Sequence, residues 1–204
     1  MKSFSDELQT GLVWLPELGM GRYPVADSRP YDADYFTRYQ AMAETSMGQQ
    51  LTAARIQLVS RHYQGPVLDV GIGSGQFVSC YPGALGFDVN PAGVAWLHKR
   101  NAYADLYANR WRALTMWDVL EHIDEPERAV QQATEFVFVS LPVFDSAEHI
   151  VTSRHYRKDE HIWYWTHDGL VKWFAEQGFS MVEHNTCESM LGREGIGSYA
   201  FKRN

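Results

Sequence analysis

Cysteine is scarce: Cys80 and Cys187 are the only two in 204 residues and lie far apart, which excludes a disulfide framework and any C-x-x-C metal motif. A reducing, cytoplasmic setting is therefore expected. No stretch approaches the length of apolar run needed to span a bilayer, and the opening MKSFSDELQT lacks the apolar core of a signal peptide, so no membrane partner is expected. Basic excess is missing as well. The formal net charge is -7 and the sequence pI about 5.6, the wrong sign for an electrostatic footprint on bulk nucleic acid. Internal repeats and low-complexity tracts are absent. What remains is core material, 45% hydrophobic and 14% aromatic, over a length that suits one domain spanning residues 1–204.

The most informative stretch is VLDVGIGSG at 67–75. Val67, Leu68 and Val70 form the apolar run of a parallel strand covered on both faces, and Gly65-Pro66 punctuates its start. Asp69 interrupts the run near its C-terminal end, where open α/β sheets bind ligands, so its carboxylate is a candidate for a polar cofactor. Gly71, Gly73 and Gly75 then alternate in a turn. Residues without Cβ allow positive φ and let backbone N–H groups approach a ligand closely. Asp88 in LGFDVN follows 19 residues after Asp69, at the expected tip of the next strand, and Asn90-Pro91 starts a helix after it. A carboxylate there can accept both hydroxyls of a ribose.

Glycine spacing separates the possible cofactors. A dinucleotide turn reads G-x-G-x-x-G/A, its third small residue packing helix on strand beside a pyrophosphate, whereas Gln76 holds that place here. A nicotinamide oxidoreductase is thus disfavoured but stays open as the rival enzyme class. A catalytically silent nucleotide-binding module is the non-enzyme alternative.

The G-x-G-x-G form, with an acid two residues before it, resembles motif I of the class I S-adenosylmethionine-dependent methyltransferases. TMWDVLEHIDEP at 115–126 is similar to the fourth-strand motif of that family's methyltransferase-domain branch, and HIWYWTHDGLVKWFAEQGF at 161–179 to its C-terminal segment. The resemblance covers roughly residues 50–204. It implies a three-layer α/β/α Rossmann-like fold whose mostly parallel, seven-stranded sheet ends in an antiparallel strand. It also implies S-adenosylmethionine as cofactor, held by Asp69, Gly71, Gly73 and Gly75 at the turn, by Asp88 and Val89 at the second strand tip, and by Trp117 and Asp118 after the fourth strand. Residues 63–204 would be the cofactor-binding core and 1–62 a variable cap or lid over the substrate. An acid near the adenine is common in the family after the third strand, and Asp105 is the nearby candidate.

Local signals give the remaining elements. Residues 1–30 are loop-like, with Pro16, Pro24, Pro30 and the Gly19-Met20-Gly21 turn, yet Trp14, Leu15, Tyr23 and Val25 need somewhere to pack. Helices are expected from Asp32, with Tyr35, Tyr39 and Met42 on one stripe, and from about Gly48, with Leu51, Ala54 and Leu58. Short helices follow at 76–80 and 91–100, and strands at 102–107 and 113–117. Asp124, Pro126 and Glu127 suit an Asp-type capping box for a helix to about Ala133. EFVFVS at 135–140 is a buried strand that Leu141-Pro142 should stop, before a long polar connection over 143–160. A helix opened by Thr166 or His167 and a closing antiparallel pair at 179–184 and 199–202 complete the chain.

Methyl transfer from a sulfonium is an in-line displacement, so alignment and exclusion of water matter more than any fixed residue. His161 and His122 are the candidates for a proton acceptor. Small-RNA 3′-terminal 2′-O-methyltransferases and ubiquinone-pathway O-methyltransferases hold a divalent metal with an E-x-x-E-H turn similar to the one here. That resemblance names Asp118, Glu121, His122 and His161 as a ligand set, although the family at large needs no metal. It also keeps an RNA 2′-O-methyltransferase among the alternatives. His149, His155, His161 and His167 recur every six residues, which matches neither helix nor strand, so no shared face is expected. Ser153 to Lys158 is the one concentrated basic stretch, read first as a solvated loop. The D/N/S-P-P-Y/F signature of exocyclic-amine methylation is absent, which disfavours DNA. Tyr31, Tyr35, Trp163, Tyr164, Trp165 and Trp173 could line a pocket for a small or planar acceptor, or simply pack as core. A small-molecule O or N acceptor is the expectation.

Overall fold

The computed structural model describes residues 6–7, 11–24 and 31–204. In chain order its elements are β1 (Asp6–Glu7), β2 (Val13–Leu15), β3 (Met20–Arg22), α1 (Ala33–Ala43), α2 (Ser46–His62), β4 (Leu68–Val70), α3 (Gln76–Cys80), β5 (Leu85–Phe87), α4 (Pro91–Lys99) and β6 (Trp111–Trp117). A single 3-10 turn (Leu120–His122) leads to α5 (Pro126–Val130), β7 (Ala133–Phe144), α6 (Ala147–Thr152), β8 (Trp163–Thr166), α7 (His167–Glu176), β9 (Phe179–Asn185), α8 (Cys187–Met190) and β10 (Ile196–Arg203). The parallel order β5-β4-β6-β7 continues through β10, antiparallel to β7, to β9.

Alternation along the strands builds three layers. Val137, Val139 and Leu141 of β7 face a cluster with Val130 of α5 and Leu170 and Phe174 of α7. Phe136 and Phe138 face the opposite side, toward Leu58 and Val59 of α2, Phe77 of α3 and Leu97 of α4. Successive residues of a strand point to opposite faces, so one strand serves two cores.

Five expectations are corrected. Residues 11–24 are not loop: β2 and β3 form a hairpin, and β3 pairs antiparallel with β8, Met20 opposite Trp165. Leu12 is fully buried against Phe144, Ile150 and Tyr164, and Met20 joins the main core, which is where these apolar residues pack. The expectation for Val25 and Pro30 lies outside the described residues. The described residues contain ten strands where seven were expected. The third strand shrinks to one bridge between Gly86 and Tyr103. Pro142 does not stop β7. A proline is tolerated where its missing N–H meets no partner, and β6 has already ended opposite Ser140, leaving Val143 and Phe144 to pair with β8. Finally, Asp124 caps nothing; it pairs with Arg22 at 3.0 Å, and α5 starts after Glu125 without a side-chain cap and ends at Val130, short of Ala133.

Candidate functional site

The C-terminal ends of β4, β5 and β6 open on a cavity of about 360 Å³. Its floor is the glycine turn, where Gly71, Gly73 and Gly75 adopt φ of 69°, 53° and 78°. A Cβ on Gly71 would meet Val119 Cγ2 at 2.5 Å, so the turn and the segment after β6 approach as only glycine permits. Gly75 has a different task. A Cβ there would strike the Trp96 ring at 2.5 Å, and the residue packs α3 on α4 rather than lining the cavity.

Asp69 is 1% exposed; Thr115 Oγ1 donates to its Oδ1 at 2.6 Å, while Oδ2 has no partner. Burial pushes its pKa up to about 7, against the downward pull of the Thr115 bond and Arg55. Asp88 stands at the tip of β5, where its Oδ1 accepts from the Asn90 amide at 2.7 Å, and burial raises its pKa too. Val89, Phe87, Leu106 and Tyr107 border the cavity beside it. Asp105 does not; its Oδ1 accepts from the Tyr107 amide instead.

At the other end, Asp118 leaves β6 with a φ of 56°, rare for a residue with a side chain. It belongs to an ion quartet. Arg55 donates from Nη2 to Asp118 at 3.2 Å and from Nε and Nη2 to Glu188 at 2.7 and 3.0 Å. Arg193 donates to Asp118 at 2.7 Å and also to Glu188. Burial alone would raise the Asp118 pKa, but Arg193 and Arg55 bring it down to about 2.

Next to the quartet lie Glu121, His122 and His161, with one potential ligand atom from each within 4.8 Å of the others. The His122 Nδ1 is 2.8 Å from the Glu160 carbonyl oxygen, which needs a donor, so the proton sits on Nδ1 and Nε2 keeps its lone pair. The Tyr31 hydroxyl oxygen, 3.2 Å away, shares that N–H. The His122 Nε2 stands 4.0 Å from Glu121 Oε1, and the His161 ring is perpendicular to that of His122 at 4.7 Å between centroids. Glu121 is 1% exposed, and neither oxygen has a partner outside its own residue. Burial first, then the Asp118 charge, holds its carboxyl well above the usual range. Burial lowers both imidazoles, His161 to about 3, which makes that ring a feeble proton acceptor at neutral pH. Asp118 is no part of this trio, because its two guanidinium partners already occupy it.

Helix α1 roofs the cavity with Tyr31 (just before it), Tyr35 and Tyr39. Asn90 Nδ2 donates to the Asp32 carbonyl at 3.0 Å, and Gln76 Nε2 to that of Ala43 at 2.8 Å. A second hollow of about 520 Å³, between the β2–β3 turn and the starts of α6 and α7, contains none of these groups and is lined by Glu17, Asp145, Glu148 and Asp168.

A family model described as a methyltransferase domain matches residues 39–184, most of the chain. The chain belongs to the methyltransferase-domain family. This methyltransferase has the class I Rossmann-like fold, as its solved neighbours do. Magnesium protoporphyrin IX methyltransferase from Synechocystis PCC 6803, solved with bound SAH, superposes with a TM-score of 0.59 at 15% identity, covering 85% of this chain and 96% of that one. A possible histamine N-methyltransferase from Thermotoga maritima gives 0.60 at 14%, covering 84% and 97%. The N-methyltransferase NodS from Bradyrhizobium japonicum WM9, in complex with SAH, gives 0.57 at 12%, covering 83% and 97%. No curated protein matches the sequence. Among the described residues of the methyltransferase, no helix is long and apolar enough to cross a membrane.

The methyltransferase thus gathers Asp69, Gly71, Gly73, Asp88, Val89, Trp117, Asp118 and His122 around one cavity, while Glu121 and His161 do not line it and sit next to His122, which does. Of the aromatic candidates only Tyr31 and Tyr35 reach it; Tyr164 and Trp165 are fully buried core, and Trp163 and Trp173 pack beside them. The recurring histidines share nothing: His149 pairs with Asp145, His155 Nε2 meets the Glu194 carbonyl, and His167 meets the Tyr199 hydroxyl. Sequence reasoning missed Arg55, Glu188 and Arg193. For Arg55 a signal existed, since it lies three residues after the buried Thr52 on the inward stripe of α2.

Proposed function

We propose that the chain transfers a methyl group from S-adenosylmethionine to a small-molecule hydroxyl, with residues 63–204 as the cofactor-binding core and, of the residues before them, Tyr31 and α1 supplying the cap while the β2–β3 hairpin and α2 join the sheet and the core. The observation that carries this reading is the three-glycine turn opening on a cavity with Asp88 at one end and Asp118 and His122 at the other. Asp88 would accept from the ribose hydroxyls, Val89, Leu106 and Tyr107 would border the adenine, and the unpartnered Oδ2 of Asp69 would accept from the α-ammonium. α1 would exclude water, with Tyr31 closing the transfer end. Calorimetry tests this directly. S-adenosylhomocysteine should bind at micromolar concentration and NAD should not, and Asp88→Ala should weaken the former by about 10- to 100-fold through loss of charge-assisted hydrogen bonds. Binding of NAD alone would favour the oxidoreductase.

A specific observation supports oxygen over nitrogen as acceptor. A buried carboxylate without partners beside two neutral imidazoles fits a divalent first-row cation, and the Nδ1–H bond of His122 to a carbonyl is the outer support such ligands usually have. Glu121, His122 and His161 would hold the ion, which when bound supplies a Lewis acid that lowers the pKa of an acceptor hydroxyl. Without it Glu121 must keep its proton, which is the other way to tolerate such burial. Chelator-treated protein should take up one Mn²⁺ saturably, and His161→Ala and Glu121→Gln should each weaken uptake at least tenfold. Uptake that neither change affects would remove the cation and leave His122 as the candidate proton acceptor.

A further inference from the structure

The basic stretch from Ser153 to Lys158 has no part in the site described so far, and it is not a loose solvated loop. His155 is buried, and its Nε2 donates to the Glu194 carbonyl at 2.7 Å, which fastens the stretch beside Arg193. Further on, the Arg157 carbonyl accepts from the amides of Glu160 and His161 at 3.1 and 2.8 Å. That turn presents the Glu160 carbonyl to His122 Nδ1, so the backbone of Arg157 is fixed relative to the cavity wall. Arg157 does not line the cavity itself. It stands at the mouth, where its charge acts on Tyr39 in the roof and on Asp118 and His122 in the wall.

Three arginines stand at this end of the cavity, and they differ in what remains free. Arg55 and Arg193 are each shared between Asp118 and Glu188. Arg157 gives Nη1 to Glu160 at 2.9 Å, while Nε and Nη2 have no hydrogen-bond partner among the described residues and half of the side chain is exposed. A guanidinium holds its donors in one plane, and two along one edge match two oxygens of a carboxylate or phosphate. The surrounding charge favours the same kind of ligand. The chain has a formal net charge of -7, yet this stretch sets Arg154, Arg157 and Lys158 against Asp159 and Glu160. An anion is repelled by the molecule at large and attracted here.

We propose that the Nε–Nη2 edge of Arg157 binds an oxyanion of the methyl acceptor, a carboxylate or a phosphate, remote from the hydroxyl that receives the methyl group. The inference rests on the methyl transfer proposed above and adds a charge requirement to its acceptor. With the reacting hydroxyl at His122, the body of the acceptor lies along Tyr31 and Tyr35 and its anionic end emerges at the mouth. The ion pair with Glu160 keeps the guanidinium aimed, so little side-chain freedom is lost when the ligand arrives. The same edge selects against cationic acceptors, which would meet a fixed like charge on entry.

The test titrates benzoate, phenyl phosphate and benzamide into protein saturated with S-adenosylhomocysteine. Benzoate and benzamide share a ring and a size and differ in charge. At least one of the two anions should bind about tenfold tighter than benzamide, and the tighter of them tells carboxylate from phosphate. Arg157→Gln should remove that preference. Arg157→Lys keeps the charge but loses the planar edge, so it should retain part of the preference; it carries the test should Arg157→Gln not fold. Lys158→Gln is the control, because it removes the same charge from the same stretch, yet its Nζ lies over the Tyr23 and Tyr156 rings at 5.7 and 5.2 Å. The preference should survive it. Three outcomes would overturn the inference: no preference for either anion, no binding of any of the three probes, or equal effects of Arg157→Gln and Lys158→Gln. A second measurement needs no chosen probe. Labelled methyl groups transferred into a metabolite extract should appear in the fraction that an anion exchanger retains, and label confined to the flow-through would also overturn the inference. Wild type that does not bind S-adenosylhomocysteine would reject the cofactor site itself, which is a separate result.

Discussion

Replacing Arg193 with methionine should lower the stability of the fold by about 3–5 kcal/mol, because the change leaves Asp118 and the buried Glu188 to share one guanidinium. Glu188 has no exposed surface, and Asp118 is held in the αL conformation with Arg193 on one oxygen and Arg55 on the other. After the substitution both carboxylates depend on Arg55 alone, and the less costly escape is for one of them to take up a proton. That gives a pH signature. In the wild type the folded Asp118 pKa is depressed to about 2, so its contribution is complete above the unfolded value near 3.8 and is lost as pH falls toward 2. In the variant the loss should begin at higher pH. Thermal unfolding should fall by roughly 6–20 °C for a chain of this size, and Glu188→Gln added to Arg193→Met should recover part of it. A drop of only a degree or two would mean that solvent already screens the quartet.

A comparable loss is expected from a single methyl group far from the cavity. A Cβ on Gly169, near the start of α7, would lie 2.0 Å from the Gly19 carbonyl oxygen, 2.6 Å from its carbon and 2.8 Å from the Leu18 oxygen. All three are backbone atoms, so no rotamer change relieves the clash. The β2–β3 turn must lift, and with it go the bonds that the Thr166 amide and hydroxyl donate to Gly19 O at 2.9 and 3.1 Å. Gly169→Ala should therefore cost at least about 3 kcal/mol, the upper range for overpacking, and expose residues 11–24 to protease. Gly178→Ala is the control. Its φ of 84° is strained for alanine, but the nearest atom to its Cβ is the Arg203 Nη1 at 3.8 Å, so only about 1 kcal/mol should be lost. Equal effects of the two changes would show that the hairpin is not seated on Gly169.

The contrast between what the sequence reveals and what it hides has a physical basis. The placement of Gly71, Gly73, Asp69 and Asp88 around one cavity was legible because a strand, a glycine turn and the next strand tip are set by local backbone geometry at fixed spacing. Residues 76–80 were legible for the same reason, with Tyr81-Pro82 ending a helix that starts immediately after the turn. The quartet was not, since Arg55, Asp118, Glu188 and Arg193 are spread over 139 positions and nothing local marks their partnership. The hairpin failed differently. Three-residue strands carry too little alternation to be told from loop, and β3 exists only because β8 accepts it as a neighbour. β7 was cut short by a rule about proline that holds only where the missing N–H faces a paired strand; the nitrogen of Pro142 faces the side on which β6 has ended, while the residue still pairs with Ile196 of β10. Glu121 was named as a ligand from a motif, but its isolation in the wall is a tertiary fact.

The pairing of β3 with β8 also dictates an order of events during synthesis. Met20 pairs on one edge with Leu15 inside the hairpin, but its partner on the other edge, Trp165, lies 145 residues further along the chain. By then β4, β5, β6 and β7 have all emerged, and each of their crossovers closes a shorter loop than the pairing of β3 with β8 does. The seating of the hairpin on β8 therefore closes after the strands between them, and until it does Leu12 and Trp14 lack Phe144, Ile150 and Tyr164 to pack against.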